Sequence, residues 1–237
     1  MPFLSTRYCF PSEVLRAGRA TLRSCCRILG SPLVLVLAGS SSSCASAHDN
    51  VPVVRLMQVA ASGCISREIA TGFMVEPGVV MTVAHALRDT KVITVDGRPA
   101  TVLALDERMD AALLRIDESP ERFVEFADPV LSTDVSVLRW QRNRTQRLAA
   151  KVTTVASIEY SDLRLKTTWL RQGFLIDQES RAGDSGAPVV DNTGRVVGML
   201  FGSRLDGQVQ GFALASSEMK TLLAAPPVVP PWVGRCT

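Results

Sequence analysis

Past residue 50 the chain alternates short apolar runs with turn signals. Val51–Val59 and Ile69–Val75 are apolar or alternating runs, Glu76-Pro77-Gly78 is a turn, and Val79–Val83 reads as a buried strand. Lys91–Val95 and Pro99–Leu105 flank Asp96-Gly97, the strongest short hairpin signal in the sequence, and Ala111–Ile116 is a further strand. Residues 117–133 are polar, contain Pro120 and Pro129, and predict a connection between two halves. The second half repeats the pattern in Val135–Trp140, Ala149–Ser157, Leu163–Thr168, Gly173–Asp177, Pro188–Asp191, Arg195–Phe201 and Val209–Ala213. Asn192-Thr193-Gly194 is a hairpin turn, and Arg139-Trp140-Gln141-Arg142-Asn143-Arg144 reads as a solvated, basic hairpin tip. Only Ser216–Ala225 has a helical pattern, opened by serines that can cap it. Many short strands and one terminal helix predict an all-β fold of barrels, with no fixed-period repeat.

At 237 residues there is room for one large β domain or two small ones. Aromatics are 5% and charged residues 21%, the composition of an ordinary globular protein. The first 47 residues stand apart as an export leader. Arg7, Arg16, Arg19, Arg23 and Arg27 precede the apolar run Leu33–Ala38, and small residues follow, ending in Ala45-Ser46-Ala47. That pattern predicts cleavage after Ala47 and a secreted, periplasmic or cell-envelope protein. The apolar run is too short to span a bilayer, so no transmembrane anchor is expected in the mature chain. Cys44, after three serines, offers a second reading as a lipid anchor, although the aliphatic residue usual three positions earlier is missing.

Removing the leader simplifies both charge and cysteine. It holds five of the 26 basic residues and one of the 23 acidic ones, so the remainder carries 21 against 22. No electrostatic case for nucleic acid survives that subtraction. Of six cysteines, Cys9, Cys25, Cys26 and Cys44 belong to the leader, leaving Cys64 and Cys236. Two cysteines in an exported chain predict a disulfide, here one that ties a proline-rich tail to the start of the domain. Neither has a metal-site partner at usable spacing, so no metal site is expected.

The chemistry concentrates in Arg181-Ala182-Gly183-Asp184-Ser185-Gly186-Ala187-Pro188, which precedes the apolar pair Val189-Val190. A turn before a strand accounts for these residue types. A nucleophile accounts for them as well, since the glycines free the backbone and the amides of Gly183 and Ser185 can meet at an oxyanion. A serine nucleophile needs a base. The chain has only two histidines, and His48 adjoins the predicted cleavage site. His85 follows the strand Val79–Val83 and is the base expected. A carboxylate must then fix its tautomer. Asp110 stands at the mouth of the buried strand Ala111–Leu114, whereas Asp89, Asp96 and Asp106 read as turn acids.

Met81-Thr82-Val83-Ala84-His85, Asp110-Ala111-Ala112-Leu113-Leu114 and Gly183-Asp184-Ser185-Gly186-Ala187-Pro188 resemble, in that order, the three signature blocks of trypsin-like (chymotrypsin-fold) serine proteases. The resemblance runs from about Val51 to Ala225. It is closest to HtrA-type proteases and, within them, to actinobacterial membrane-anchored acid-resistance (MarP-like) protease domains. That narrower match rests on Thr71-Gly72-Phe73, Gly194–Gly198, Gly211-Phe212 and the cysteine pair Cys64 and Cys236. The resemblance implies two six-stranded antiparallel β-barrels, over about 51–120 and about 132–215 of a domain at 48–237, with a helix and tail at 216–237. It implies a serine endopeptidase acting on protein or peptide substrates, with catalytic His85, Asp110 and Ser185 and an oxyanion hole at Gly183 and Ser185. No cofactor is implied. Alignment with the family puts Glu179 near the primary pocket, or on its rim by one step of register, with Phe201, Gly202 and Ser203 along the wall.

The departures are specific. Ala86 stands where a cysteine often follows the histidine, and Ala187 replaces the second glycine after the serine. There is no Arg-Ile-Val-Gly-Gly-like activation site, and neither a PDZ module nor a multi-spanning anchor is expected. An α/β-hydrolase is a poor fit, because Ala187 breaks Gly-x-Ser-x-Gly and no histidine follows Ser185. The alternative is a catalytically quiet trypsin-fold module that binds a partner in the cell envelope.

Overall fold

The computed structural model describes residues 54–63, 67–118, 123–141, 144–162, 167–204, 208–225 and 228–229. The leader, Cys44, Cys64 and Cys236 lie outside them, so the predicted bridge and the export signal carry no structural account.

The first half consists of β1 (Leu56–Gly63), β2 (Arg67–Glu76), β3 (Val79–Thr82), β4 (Thr90–Val95), β5 (Arg98–Pro99), β6 (Thr101–Asp106) and β7 (Ala111–Arg115). They form one antiparallel sheet in the order β5-β4-β1-β2-β3-β7-β6. Its two ends, β5 and β6, are separated in the chain only by Ala100. One continuous segment therefore pairs with β4 at its start and with β7 along the rest, so the sheet curls into a half-barrel joined by covalent chain. The Asp96-Gly97 hairpin forms as the sequence predicts. Both residues have positive φ, 48° and 78°, which a two-residue type I′ turn requires.

The second half is a closed six-stranded ring. It contains β8 (Asp134–Gln141), β9 (Arg144–Asp162), β10 (Thr167–Ile176), β11 (Pro188–Val190), β12 (Val196–Ser203) and β13 (Gly211–Ala215), in the order β10-β13-β12-β11-β8-β9. The helix α1 (Ser216–Ala224) follows directly. The fold is therefore mostly β in two antiparallel sheets, as the strand pattern predicts.

The largest difference from the strand pattern is at β9 and β10. Residues 163–166 of the predicted strand Leu163–Thr168 lie outside the described ones. Thr167 and Thr168 and the Gly173–Ile176 part of the other predicted strand, Gly173–Asp177, belong to one strand, β10, which pairs with the 19-residue β9 from Thr167↔Asp162 to Ile176↔Val152. Much of this hairpin is exposed or half-buried, so its residues have no core to alternate against and the apolar signal breaks up. The buried residues of β1–β7 and those under α1, including Met219 and Leu222, form one apolar cluster that also takes in Leu138, Met199 and Phe201. The two halves thus share a core, and the chemistry sits at their junction.

Candidate active site

His85 opens a single 3-10 turn after β3, and Asp110 closes the turn before β7. The two elements are adjacent because β3 and β7 pair, with Thr82 opposite Ala112. The Asp110 carboxylate accepts from the His85 backbone N–H at 2.8 Å through Oδ1 and faces His85 Nδ1 at 2.8 Å through Oδ2. Ala84 N–H donates to the Asp110 carbonyl at 3.1 Å. Asp110 is buried with φ at +56°, an uncommon conformation for a residue with a side chain. The His85 side chain keeps 35% of its surface exposed. Its Nδ1 is engaged, and among the described residues Nε2 has no hydrogen-bond partner.

The electrostatics reinforce this pair. Burial pulls the His85 imidazolium down, but the Asp110 charge and hydrogen bond outweigh it, and the ring is raised above its ordinary 6.5. Burial pushes Asp110 up, but His85 and the nearby Arg171 overcome that and hold it below its ordinary 3.8. Both shifts make folding stability depend on pH. The His85 contribution is complete below its unfolded value and is lost as pH rises through the raised one. The Asp110 contribution is complete above its unfolded value and is lost as pH falls through the lowered one.

Ser185 stands on a double turn. Asp184 N–H donates to Arg181 O at 2.9 Å and Ala187 N–H to Asp184 O at 2.8 Å, closing two successive four-residue turns. The third residue of each is glycine with positive φ, Gly183 at +90° and Gly186 at +88°, as a type II turn requires. Ser185 is the second residue of the later turn and so occupies its corner. A Cβ on Gly186 would lie 1.9 Å from the Thr71 carbonyl oxygen, so no side chain fits there. A Cβ on Gly183 would meet nothing within 4 Å, so that corner is open to an approaching group. Among the described residues, neither the Gly183 nor the Ser185 amide donates a hydrogen bond.

Two threonines join this loop to the histidine side. Thr71 on β2 donates from N to Ser185 O at 2.8 Å and from Oγ1 to Gly183 O at 2.7 Å. Thr82, three residues before His85, donates to Thr71 O at 2.9 Å. Hydrogen bonds through Thr71 thus join the turn of Gly183 and Ser185 to Thr82, from which the chain leads to His85. Among the described residues no hydrogen bond links the His85–Asp110 pair directly to Ser185. The pocket residues differ in burial: Glu179 is exposed, Phe201 and Ser203 are buried, and Gly202 is half-buried. Asp106 accepts from Met109 N–H at 2.8 Å, the turn role its sequence context predicts. No group of His, Cys, Asp and Glu among the described residues is arranged to hold a metal ion.

Two arginines here escape the sequence reading. Arg139, predicted on a solvated tip, is 4% exposed, and its Nη2 lies 2.5 Å from Asp184 Oδ2. The signal was present in β8, where Val135, Val137 and Arg139 share the inward face at period two. Asp184 Oδ2 also accepts from Arg181 N–H at 2.7 Å, so this carboxylate ties the serine turn to β8. Arg171, which no motif singled out, is 1% exposed beneath Asp110.

The comparisons settle the family. A model of the trypsin-like peptidase domain matches residues 70–199, more than half the chain. The chain belongs to the trypsin-like peptidase domain family. A curated relative, the serine protease Rv3671c of Mycobacterium tuberculosis, is 31% identical over 165 residues, 65% of this chain and 41% of that protein. The chain thus spans well under half the length of that relative. Among solved structures, the active form of the M. tuberculosis Rv3671c protease superposes with a TM-score of 0.69 at 27% identity, covering 76% of this chain and 85% of that one. The inactive form of the same protease gives 0.60 at 27% identity, covering 71% and 87%. These trypsin-like relatives share the two-sheet β architecture described above.

Proposed function

We propose that this trypsin-like domain is an exported serine endopeptidase. His85 takes the proton from Ser185 through Nε2, Asp110 fixes the imidazole by Nδ1, and Ser185 attacks the peptide carbonyl. The amides of Gly183 and Ser185 hold the developing oxyanion. His85 then protonates the leaving amine, and water hydrolyses the acyl-enzyme by the reverse use of the same base. The observation that carries this reading is the His85–Asp110 pair, with Nε2 unengaged, joined through Thr82 and Thr71 to the turn that presents Ser185. Two unpartnered amides on that turn support an open site, as does the better superposition on the active form of the Rv3671c protease than on its inactive form.

The test is covalent labelling. A fluorophosphonate probe labels the wild-type chain and leaves Ser185→Ala unlabelled. An unlabelled wild type under both reducing and oxidising conditions favours the alternative, a quiet binding module. A second expectation concerns pH. The base works only when neutral and its ring is raised, so the acid limb of labelling rate against pH has its midpoint above 6.5.

The leader at 1–47 directs export, with cleavage after Ala47, or with Cys44 as a lipid-modified residue, and places the enzyme in the cell envelope or outside it. Among the described residues, no helix is long and apolar enough to cross a membrane. Cys64 and Cys236 form the disulfide that export allows. The oxidised, processed protein then has no titratable thiol when unfolded in denaturant, and two thiols per chain would sink the bridge.

A further inference from the structure

We propose that Arg171 is a positioning residue for the His85–Asp110 pair, a cationic clamp from the second barrel that holds the turn carrying Asp110. Its side chain is among the largest of the fully buried ones. Nη1 lies 3.6 Å from Asp110 Oδ2, the same oxygen that faces His85 Nδ1. Nε donates to the Arg108 carbonyl at 2.5 Å and Nη2 to the Glu107 carbonyl at 3.4 Å. The guanidinium carbon lies 4.5 Å from the Tyr160 ring centroid and 4.9 Å from that of Phe201. One planar group thus meets the carboxylate, two carbonyls of the turn before it, and two aromatic rings.

Packing alone does not account for this choice of residue. A methionine would fill the space without desolvating a charge, and a buried cation is costly unless matched. Here the match is directed at Asp110. That residue sits at φ +56°, in a turn whose own bonds are Asp110 N–H to Glu107 O at 3.3 Å and Met109 N–H to Asp106 Oδ1 at 2.8 Å. A strained conformation persists only where its surroundings over-determine it. Arg171 adds to that constraint from β10, beside the bonds from Ala84 N–H to Asp110 O and from His85 N–H to Asp110 Oδ1. Glu218 on α1 supports the same turn from outside, accepting from the Arg108 guanidinium at 3.0 and 3.3 Å and from Gln172 N–H at 3.1 Å. The carboxylate from the first half is thereby held in register with strands of the second.

The clamp also carries charge. The charged groups facing His85 are Asp110, Arg88 and Arg171, while Glu107, Arg108 and Glu218 line the outer side of the Asp110 turn. When His85 takes a proton, Arg171 opposes the imidazolium while keeping Asp110 ionised beside it. Arg171 thus keeps the ring available as a neutral base at lower pH than Asp110 alone would allow.

This role rests on the proposed catalytic use of the pair, but its first readout does not. In the NMR titration of the imidazole resonances, Arg171→Met moves the His85 midpoint to higher pH, while Arg171→Lys leaves it near wild type. That measurement needs no activity, so it stands or falls separately from the labelling of Ser185. In the fluorophosphonate assay, both variants label more slowly, Arg171→Met by about a hundredfold, the scale of loss when a reacting group is misplaced by about an ångström. Only Arg171→Met shifts the acid limb. If Arg171→Met fails to fold, Arg171→Lys decides the matter: slower labelling with an unmoved midpoint supports the clamp. Wild-type labelling and an unmoved His85 titration in whichever variants fold overturn it.

Discussion

Replacing His85 with alanine lowers peptide hydrolysis on the order of 10⁶-fold, and the double variant His85→Ala/Ser185→Ala is no slower than either single one. In the proposed mechanism the two side chains act on one proton, so removing either removes the whole step, and the second loss has nothing left to act on. Whatever the proposed oxyanion amides and substrate binding contribute survives in all three variants, because Gly183 and Ser185 would act there through backbone. The fold also survives. The bond from residue 85 N–H to Asp110 Oδ1 at 2.8 Å is made by backbone and persists in alanine, and Arg171 remains beside the other oxygen. The decisive measurement is kcat/KM of the wild type and the three variants on one peptide amide substrate, with circular dichroism as the check on folding. A double variant slower than both singles by the product of their effects would mean that the residues act independently, and the shared-proton mechanism would be wrong.

The parts of the molecule legible in the sequence are those whose causes are local. Asp96-Gly97 specifies its own turn by the conformations those residues tolerate, and β3 and β7 show as continuous apolar runs because each is buried along most of its length. His85 and Ser185 were legible for another reason: scarcity left one histidine for one serine in a glycine-flanked turn. The buried arginines fall outside both kinds of signal. An arginine in isolation predicts a solvated face, and what reverses that prediction is a partner far along the chain. Arg171 answers to Asp110 and to the carbonyls of Glu107 and Arg108, and it lies in the β9–β10 hairpin, where alternation is weakest. Arg139 had the period-two signal of Val135 and Val137, but its charge argued for the surface more strongly than its register argued for the core. A buried charge is legible only together with its counter-charge, and tertiary structure alone supplies that.

Arg139→Met destabilises the fold by about 3–5 kcal/mol, whereas Arg139→Met/Asp184→Leu recovers most of that stability at the cost of activity. The single change leaves Asp184 buried at 3% side-chain exposure, with the Arg181 amide at 2.7 Å as its remaining close partner. Burial already pushes this carboxyl above its ordinary 3.8, against the opposing pull of the Arg181 amide and of Arg139. The ion pair is therefore a compensated cost rather than a large net gain, and replacing both partners with apolar groups comes out near neutral. Activity behaves differently, because the carboxylate is also what holds the Arg181 amide and with it the first of the two turns beneath Ser185. Without it the Gly183 peptide is free to rotate, and one of the two proposed oxyanion donors is lost, a step worth about 10²–10³ in rate. Urea midpoints of the two singles and the double give the coupling energy, and fluorophosphonate labelling of the same proteins gives the functional loss. Single variants costing less than about 1 kcal/mol would show that the pair is not desolvated in solution. A double variant labelled at wild-type rate would show that the turn keeps its shape on its own glycines, and that Arg139 and Asp184 serve stability alone.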